Sequence, residues 1–462
     1  MADAGTRSDD VARPTEIARL KAFLSTRDAP VSILSVSGPG GVGKTYLVEH
    51  ALQAARDAEE LVLRADGSNP EARSDFFVAL EGLFPRSLPA PARPGIDYFS
   101  RLRDAASRHR ALVERSLHEA SESGASDDAK ALLRTLLRAG MVVNRAFPAT
   151  RRFLDLPVAL RSPGATEAAV DDALRVAARL RVLRDSTKVP GPLRDLFGVT
   201  RENRLKNDLP SLVAEDLRTD LAAALAGYEG RDRMRLLQPR IEGLKSVLIV
   251  IDDFELLAPL LNDFLIGSLI PQLKRAPFRT RLLLVSRDDL VNLHPGWEQH
   301  VKDCLRDQIR LQPFDRATTE TLFRDAGMDE TRIDALWNAT LGYPFLVGLA
   351  IEESRDPEAD SVVSLRRFVD RTTRWLLPHE REWFFKLVYV DPVNLDTLAA
   401  FFPPEEATLV QEWFEREASI RDPAGTAFRV RPLVRDKVLR YLAVRAPSQH
   451  RKNLALASAE AV

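Results

Sequence analysis

The chain has 462 residues, enough for about three ordinary domains, and its 66 basic and 67 acidic residues leave a formal charge of -1. That balance, with 45% apolar and 29% charged residues, fits a globular protein and provides no net field to draw in nucleic acid or membrane. One cysteine, Cys304, excludes an internal disulfide framework, MADAGTRSDD lacks an apolar signal core, and runs such as Val247–Ile251 fall short of the ~20 residues of a membrane span. The expectation is a cytoplasmic, multidomain protein with no membrane partner.

Residues 1–11 read as a disordered tail. Thr15–Leu24 places Ile17, Leu20, Phe23 and Leu24 on one helical face. Val31–Val36 is a strand, halted by Gly38-Pro39-Gly40-Gly41, and Thr45 to about Arg56 is a helix. Leu61–Arg64 is a second strand. The stretch 86–240 then reads as mostly helical, with a stripe at Leu132, Leu133, Leu136, Leu137 and Met141 and a second helix from Thr166 to about Leu183. It holds 28 Lys and Arg against 20 Asp and Glu, so it is the basic part of the chain. Ser246–Ile251 and Arg281–Ser286 are nearly continuous apolar strands of the kind buried on both faces of a parallel sheet, and Gln308–Leu311 is a fifth candidate. Helices follow at Thr318–Asp325, Ile333–Ala339, from Phe345, and at Ser364–Leu377, where Pro378 stops the last. Residues 379–446 read as three helices, a short β wing around Ile420 and Phe428–Val430, and a final helix.

Gly38-Pro39-Gly40-Gly41-Val42-Gly43-Lys44-Thr45 fits GxxxxGK[ST] between a strand and a helix. The glycines let backbone N–H groups turn toward phosphates, and the helix start adds positive potential. Lys44 is the candidate cation for the β- and γ-phosphates, and the Thr45 hydroxyl the candidate Mg²⁺ ligand; Tyr46 completes the segment. This chain has only 11 lysines, so one inside such a loop stands out. Val247–Ile251 runs into Asp252-Asp253-Phe254-Glu255, carboxylates at the end of a buried strand. Asp252 is the candidate for holding Mg²⁺, Asp253 for orienting the attacking water, and Glu255 the alternative to Asp253. The plainer role for the trio is to cap the next helix. Arg287, at the end of the following strand, can distinguish tri- from diphosphate; its plainer role is a pair with Asp288 or Asp289.

Together GPGGVGKT, VLIVIDDFE, LLLVSRDD, LGYPFLVGLA and a winged-helix-like tail resemble the STAND class of P-loop ATPases, which includes the NB-ARC and NACHT groups. The resemblance covers roughly 10–85 and 241–446. It implies an α/β fold: a parallel P-loop NTPase sheet of the extra-strand type, with a large helical insertion, a helical lid and a C-terminal winged helix. The boundaries it suggests are 12–85 and 241–315 for the P-loop domain, 86–240 for the insertion, 316–377 for the lid, 378–446 for the winged helix and 447–462 for a tail. It implies ATP and ADP as cofactors with Mg²⁺, a slow ATPase, an ADP-bound resting state and self-association with ATP. It also places Pro344 against adenine and puts Arg431 where the family often has a histidine on the ADP β-phosphate. The plainer reading of Arg431 is a surface charge on a basic final helix. Arg13-Pro14-Thr15-Glu16 loosely resembles the family's Gly-Arg-Glu opening segment but lacks its glycine. The insertion matches no pattern of the family and is a candidate sensor of a protein or nucleic-acid signal. Two other functions compete. One is an origin-recognition-like AAA+ ATPase acting on DNA through its winged helix, opposed by the acidic helix Glu405–Glu417. The other is a scaffold that holds ADP without hydrolysing ATP.

Overall fold

The computed structural model describes residues 13–122, 204–228, 246–355 and 362–459, apart from 27, 59, 68, 70, 74, 89–95, 206–207, 374–375, 377, 418–419 and 423–427 within them. The helices expected at 128–142 and 166–183, and the tail at 1–11, lie outside those residues. Chain contacts divide the molecule into two units. One comprises residues up to 18, 37–47 and 310 onward; the other comprises 19–36 and 48–309.

The second unit is built on a five-stranded sheet: β1 (Val31–Ser37), β2 (Leu61–Asp66), β3 (Ser246–Asp252), β4 (Arg279–Ser286) and β5 (Leu305–Arg310), in the order β2-β3-β4-β1-β5. β2 pairs with β3 and β3 with β4 in parallel. The extra strand β4 therefore stands between β1 and β3, as the extra-strand type requires. Position in the sheet dictates the sequence of each strand. The three central strands, VSILSVS, SVLIVID and RTRLLLVS, are almost wholly buried, because helices cover both of their faces. The two edge strands alternate: β2 buries Leu61, Leu63 and Ala65, while β5 (LRDQIR) fully buries only Ile309. The fifth strand was expected at Gln308–Leu311; it starts three residues earlier and ends one earlier, since a half-polar edge strand has no apolar run to mark it.

Helices α1 (Pro14–Ser25), α2 (Lys44–Asp57), α3 (Phe76–Leu83), α4 (Ser100–Glu122), α5 (Leu209–Tyr228) and α6 (Phe254–Phe264) surround or extend from this sheet. One apolar core joins β2 and β3 to Phe76 and Phe77 of α3, Leu102 of α4, Leu217 and Leu221 of α5, and Leu257 of α6. The two described ends of the expected insertion thus belong to the core of the sheet unit and are not a separate layer on it. A buried Asp220 on α5 accepts the Arg101 backbone N–H at the start of α4, which ties the two helices together.

α6 runs on through a π-helical turn, Leu265–Leu269, into Ile270–Lys274. Pro271 has no N–H to give to the Gly267 carbonyl, which favours the wider turn there. Among the described residues, Phe254–Lys274 is long and apolar enough to cross a membrane. The expectation of no such segment rested on unbroken apolar runs and missed an amphipathic one. Here Leu257, Leu261, Leu265, Leu269, Ile270 and Leu273 are buried in the core.

In the first unit, α7 (Arg316–Asp325), α8 (Glu330–Thr340) and α9 (Pro344–Arg355) form a lid around Leu322, Phe323, Ile333 and Val347. Next come α10 (Val362–Thr372), α11 (Pro378–Leu387), α12 (Leu395–Leu398) and α13 (Pro404–Arg416), then a single antiparallel bridge, Arg421–Val430, and α14 (Pro432–Arg445). Three helices, a wing bridge and a helix make the winged helix. Its core continues into the lid through Tyr343, Leu346, Leu365 and Phe368, so no break in the core falls at 377. One proline reading and one boundary change. Pro378 opens α11, where its missing N–H costs nothing. Pro447 likewise opens α15 (Pro447–Ala459) in what was expected to be a tail.

Candidate nucleotide site

In the first unit the chain leaves β1 through Gly38–Gly43 and enters α2 at Lys44. Gly41 has φ 73°, and a Cβ there would lie 2.3 Å from Phe345 Cδ1; only glycine meets both conditions. The Phe345 N–H donates to the Gly41 carbonyl at 3.3 Å, so the loop rests on the first turn of α9. Lys44 Nζ is buried and donates to the carbonyls of Gly38 (2.7 Å) and Pro39 (3.1 Å). Gly38, Gly40 and Val42 are buried, Pro39, Gly41, Gly43 and Tyr46 half-buried, and the Thr45 hydroxyl side chain is exposed. The lysine is thus drawn in among the loop's own carbonyls, beside an outward threonine.

Arg13 fixes the loop from outside. Its Nη2 donates to the carbonyls of Val42 (2.9 Å) and Gln312 (2.7 Å), its Nη1 to Glu16 (3.0 Å), and its guanidinium lies 4.8 Å from the Phe314 ring centroid. Burial lowers the pKa of Arg13, and Glu16 acts in the opposite direction. The loose opening-segment match therefore marks a residue that grips the phosphate loop directly.

Pro344 is half-buried at the first position of α9, next to Tyr343 and Phe345. Arg431 is not a surface charge. It is buried at the start of α14, with its guanidinium 4.4 Å from the centre of the Tyr343 ring. Burial lowers its pKa, with the Tyr343 hydroxyl in opposition. The other basic residues of that helix are engaged too. Arg435 bonds to Asp391 and the Val388 carbonyl, Lys437 lies over Phe368, and Arg440 pairs with Asp436. The expected basic surface helix is largely neutralised.

In the second unit, Asp252 ends β3 opposite Asp66 of β2 and is buried. Burial first, then the neighbouring Asp253 carboxylate, push its pKa up to about 6; Arg64 pulls it down. Asp253 is a non-glycine residue at φ 48°, ψ 44°, and it makes no side-chain cap bond to α6. Capping is thus not its task, and a left-handed backbone at such a place costs on the order of 1 kcal/mol. Gly67 makes room for it: a Cβ there would lie 2.3 Å from the Asp253 carbonyl oxygen. Arg287 pairs with Glu255 at 3.3 Å, and Glu255 also accepts the Arg287 N–H at 3.1 Å. The strand-end arginine is therefore held by Glu255, through both its side chain and its backbone.

No family model matches the chain, and no curated protein matches it either. Among solved structures, it is similar to the Orc1 protein of Aeropyrum pernix in complex with DNA (11% identity, 95% of this chain and 94% of that one, TM-score 0.38). It is also similar to Cdc6p of Pyrobaculum aerophilum (14%, 97% and 94%, TM-score 0.32) and to Drosophila ORC bound to DNA (11%, 94% and 87%, TM-score 0.32). Two of these three structures contain DNA. At such TM-scores the likeness carries no argument about what this chain does.

Sequence reading passed over Arg64, Tyr343 and Phe345, and valued Arg13 only as a loose match. Among the described residues no three His, Cys, Asp or Glu side chains gather as a metal cage. Mg²⁺ at a nucleotide needs fewer protein ligands, because phosphate oxygens and water complete its shell. Thr45 in the first unit carries an exposed hydroxyl side chain and Asp252 in the second a buried carboxylate, each a hard oxygen donor of the kind Mg²⁺ takes.

Proposed function

We propose that this chain is a nucleotide-dependent switch that binds ATP or ADP on the loop 38–45 and hydrolyses ATP slowly. The observation that carries the reading is the loop itself: left-handed glycines, a buried lysine directed onto loop carbonyls, and a helix starting at that lysine. Lys44 binds the phosphates. Asp252 would hold Mg²⁺, with the Thr45 hydroxyl as the ligand expected from the loop, and the ion would neutralise phosphate charge. Asp253 orients the attacking water; Glu255, tied to Arg287, is the weaker candidate. Pro344 packs near the base. Equilibrium titration with a fluorescent ADP analogue tests the proposal: no binding by the intact chain would end it. Single-turnover ATP hydrolysis distinguishes the switch from a scaffold that only stores ADP.

Signalling is the output we propose, with self-association in the ATP state in the manner of the STAND class. Mass in solution with ADP and with ATP tests that step. The second reading, an ATPase acting on DNA, matches what two of the similar structures contain. Charge on this chain opposes it at the winged helix: the exposed side of α13 carries Glu405, Thr408, Leu409 and Glu412, and α14 uses its cations internally. A gel shift with duplex DNA at physiological salt decides between them.

A further inference from the structure

Arg64 stands on β2, two residues before Asp66, the register partner of Asp252. Its guanidinium spans two carboxylates. Nη1 lies 2.8 Å from Glu49 Oε1, and Nη2 lies 3.4 Å from Asp252 Oδ2. The two contacts differ in kind. Glu49 is half exposed and held at ordinary hydrogen-bond length; Asp252 is 6% exposed and held at the outer limit of such a bond. The buried strand-end acid is thus in contact with an arginine whose better bond lies elsewhere.

We propose that Arg64 is a resident counter-ion of Asp252 that a divalent metal must displace, so that Arg64 sets how tightly the metal is held. The inference rests on reading Asp252 as the metal ligand. Two positive groups cannot share one small carboxylate without repulsion, and at the partial burial of this site that repulsion is only partly screened. Glu49 makes the exchange feasible. When Asp252 is taken up by a metal, Arg64 keeps its shorter bond and its solvent, so no cation is stranded in the interior. Arg64 acts here as a positioning residue and does not touch the reacting atoms.

The test uses the full-length chain with ADP and Mn²⁺, titrated by electron paramagnetic resonance of free Mn²⁺. Arg64→Gln should tighten Mn²⁺ by roughly three- to tenfold. ADP affinity measured in chelator should stay within about twofold, since the pair bears on the metal and not on the phosphate loop. Glu49→Gln should weaken Mn²⁺ by a similar factor, because Arg64 then has Asp252 as its one carboxylate among these two. Glu49 is exposed, so that variant tests the idea even if Arg64→Gln fails to fold, which a thermal melt would reveal. Unchanged or weaker Mn²⁺ binding in folded Arg64→Gln, or unchanged binding in Glu49→Gln, overturns the inference. Asp252→Asn separates it from the reading beneath it. If that variant binds Mn²⁺ as wild type does, Asp252 is not the ligand and both fall. If it loses Mn²⁺ while Arg64→Gln gains nothing, only the role of Arg64 falls.

Discussion

Lys44 Nζ donates to two backbone carbonyls, and a charged phosphate oxygen is a stronger acceptor than either. Lys44→Ala removes the one lysine of the loop, and ADP affinity should fall by roughly a hundredfold. Near-wild-type affinity by fluorescence titration would show that the loop is not the site. Asp253 offers a finer test, because its backbone and its carboxylate make separate demands. Asn is among the residues best suited to a left-handed backbone, so Asp253→Asn should leave the melting temperature alone. It should also keep ATP binding, since Asp252 is untouched. Loss of a water-orienting carboxylate typically slows a step by about 10²–10⁴-fold, and single-turnover hydrolysis should drop in that range. Unchanged turnover would move the role to Glu255, whose two oxygens already serve Arg287.

At the scale of elements, α4 and α5 carry opposed ionisations. His109 on α4 is buried beside Phe77, and its Nε2 makes no hydrogen bond. Burial, with Arg110 nearby, pushes its pKa down to about 4. An unfolded histidine takes a proton near pH ~6.5. The stability from keeping His109 neutral is thus present above that pH and is lost as pH falls through the interval down to about 4. Asp220 on α5 is raised to about 6, mainly by burial, and its contribution runs the other way: present at low pH, lost as pH rises through about 6. His109→Leu should remove the first effect and leave the second. Relative to wild type, the variant should gain roughly 3 kcal/mol on going from pH ~7 to ~4. Urea unfolding across that range checks it, and parallel curves would refute a buried neutral histidine. The same elements explain what the sequence revealed. The central strands β3 and β4 were legible because burial on both faces writes a nearly unbroken apolar run, and β1, interrupted by serines, because a glycine loop halts it. The edge strand β5 was not, because LRDQIR keeps only every second residue inside. The phosphate loop was legible because its chemistry is local, eight residues in a row. Arg13 and Arg64 act across 29 and 188 residues of chain, and no local pattern announces such contacts.

For the molecule to act as a switch, the state of the phosphate loop has to reach the winged helix. Within the first unit a continuous line of contacts exists. Gly41 of the loop bonds and packs on Phe345; two residues earlier, Tyr343 stacks on Arg431, the residue that opens α14. The segment Tyr343–Phe345 is thus held by the phosphate loop at one end and by the winged helix at the other, with Pro344 between them. Burial of Arg431 changes what its removal should do. Truncation would leave a void beside Tyr343 as well as a missing charge, so Arg431→Ala should cost about 1–3 kcal/mol and lower the melting temperature. It should also speed ADP release, because Phe345 loses part of what holds it against the loop. A shift of about 1.4 kcal/mol is tenfold in rate or equilibrium, so a rise of roughly three- to thirtyfold is expected. Arg431→Lys separates the two effects: it keeps the charge but not the flat stacking surface, and release should remain fast. Stopped-flow release of a fluorescent ADP analogue gives the answer. If both variants release ADP at the wild-type rate while melting at lower temperature, Arg431 is only a packing residue of the winged helix, and the line of contacts carries no signal.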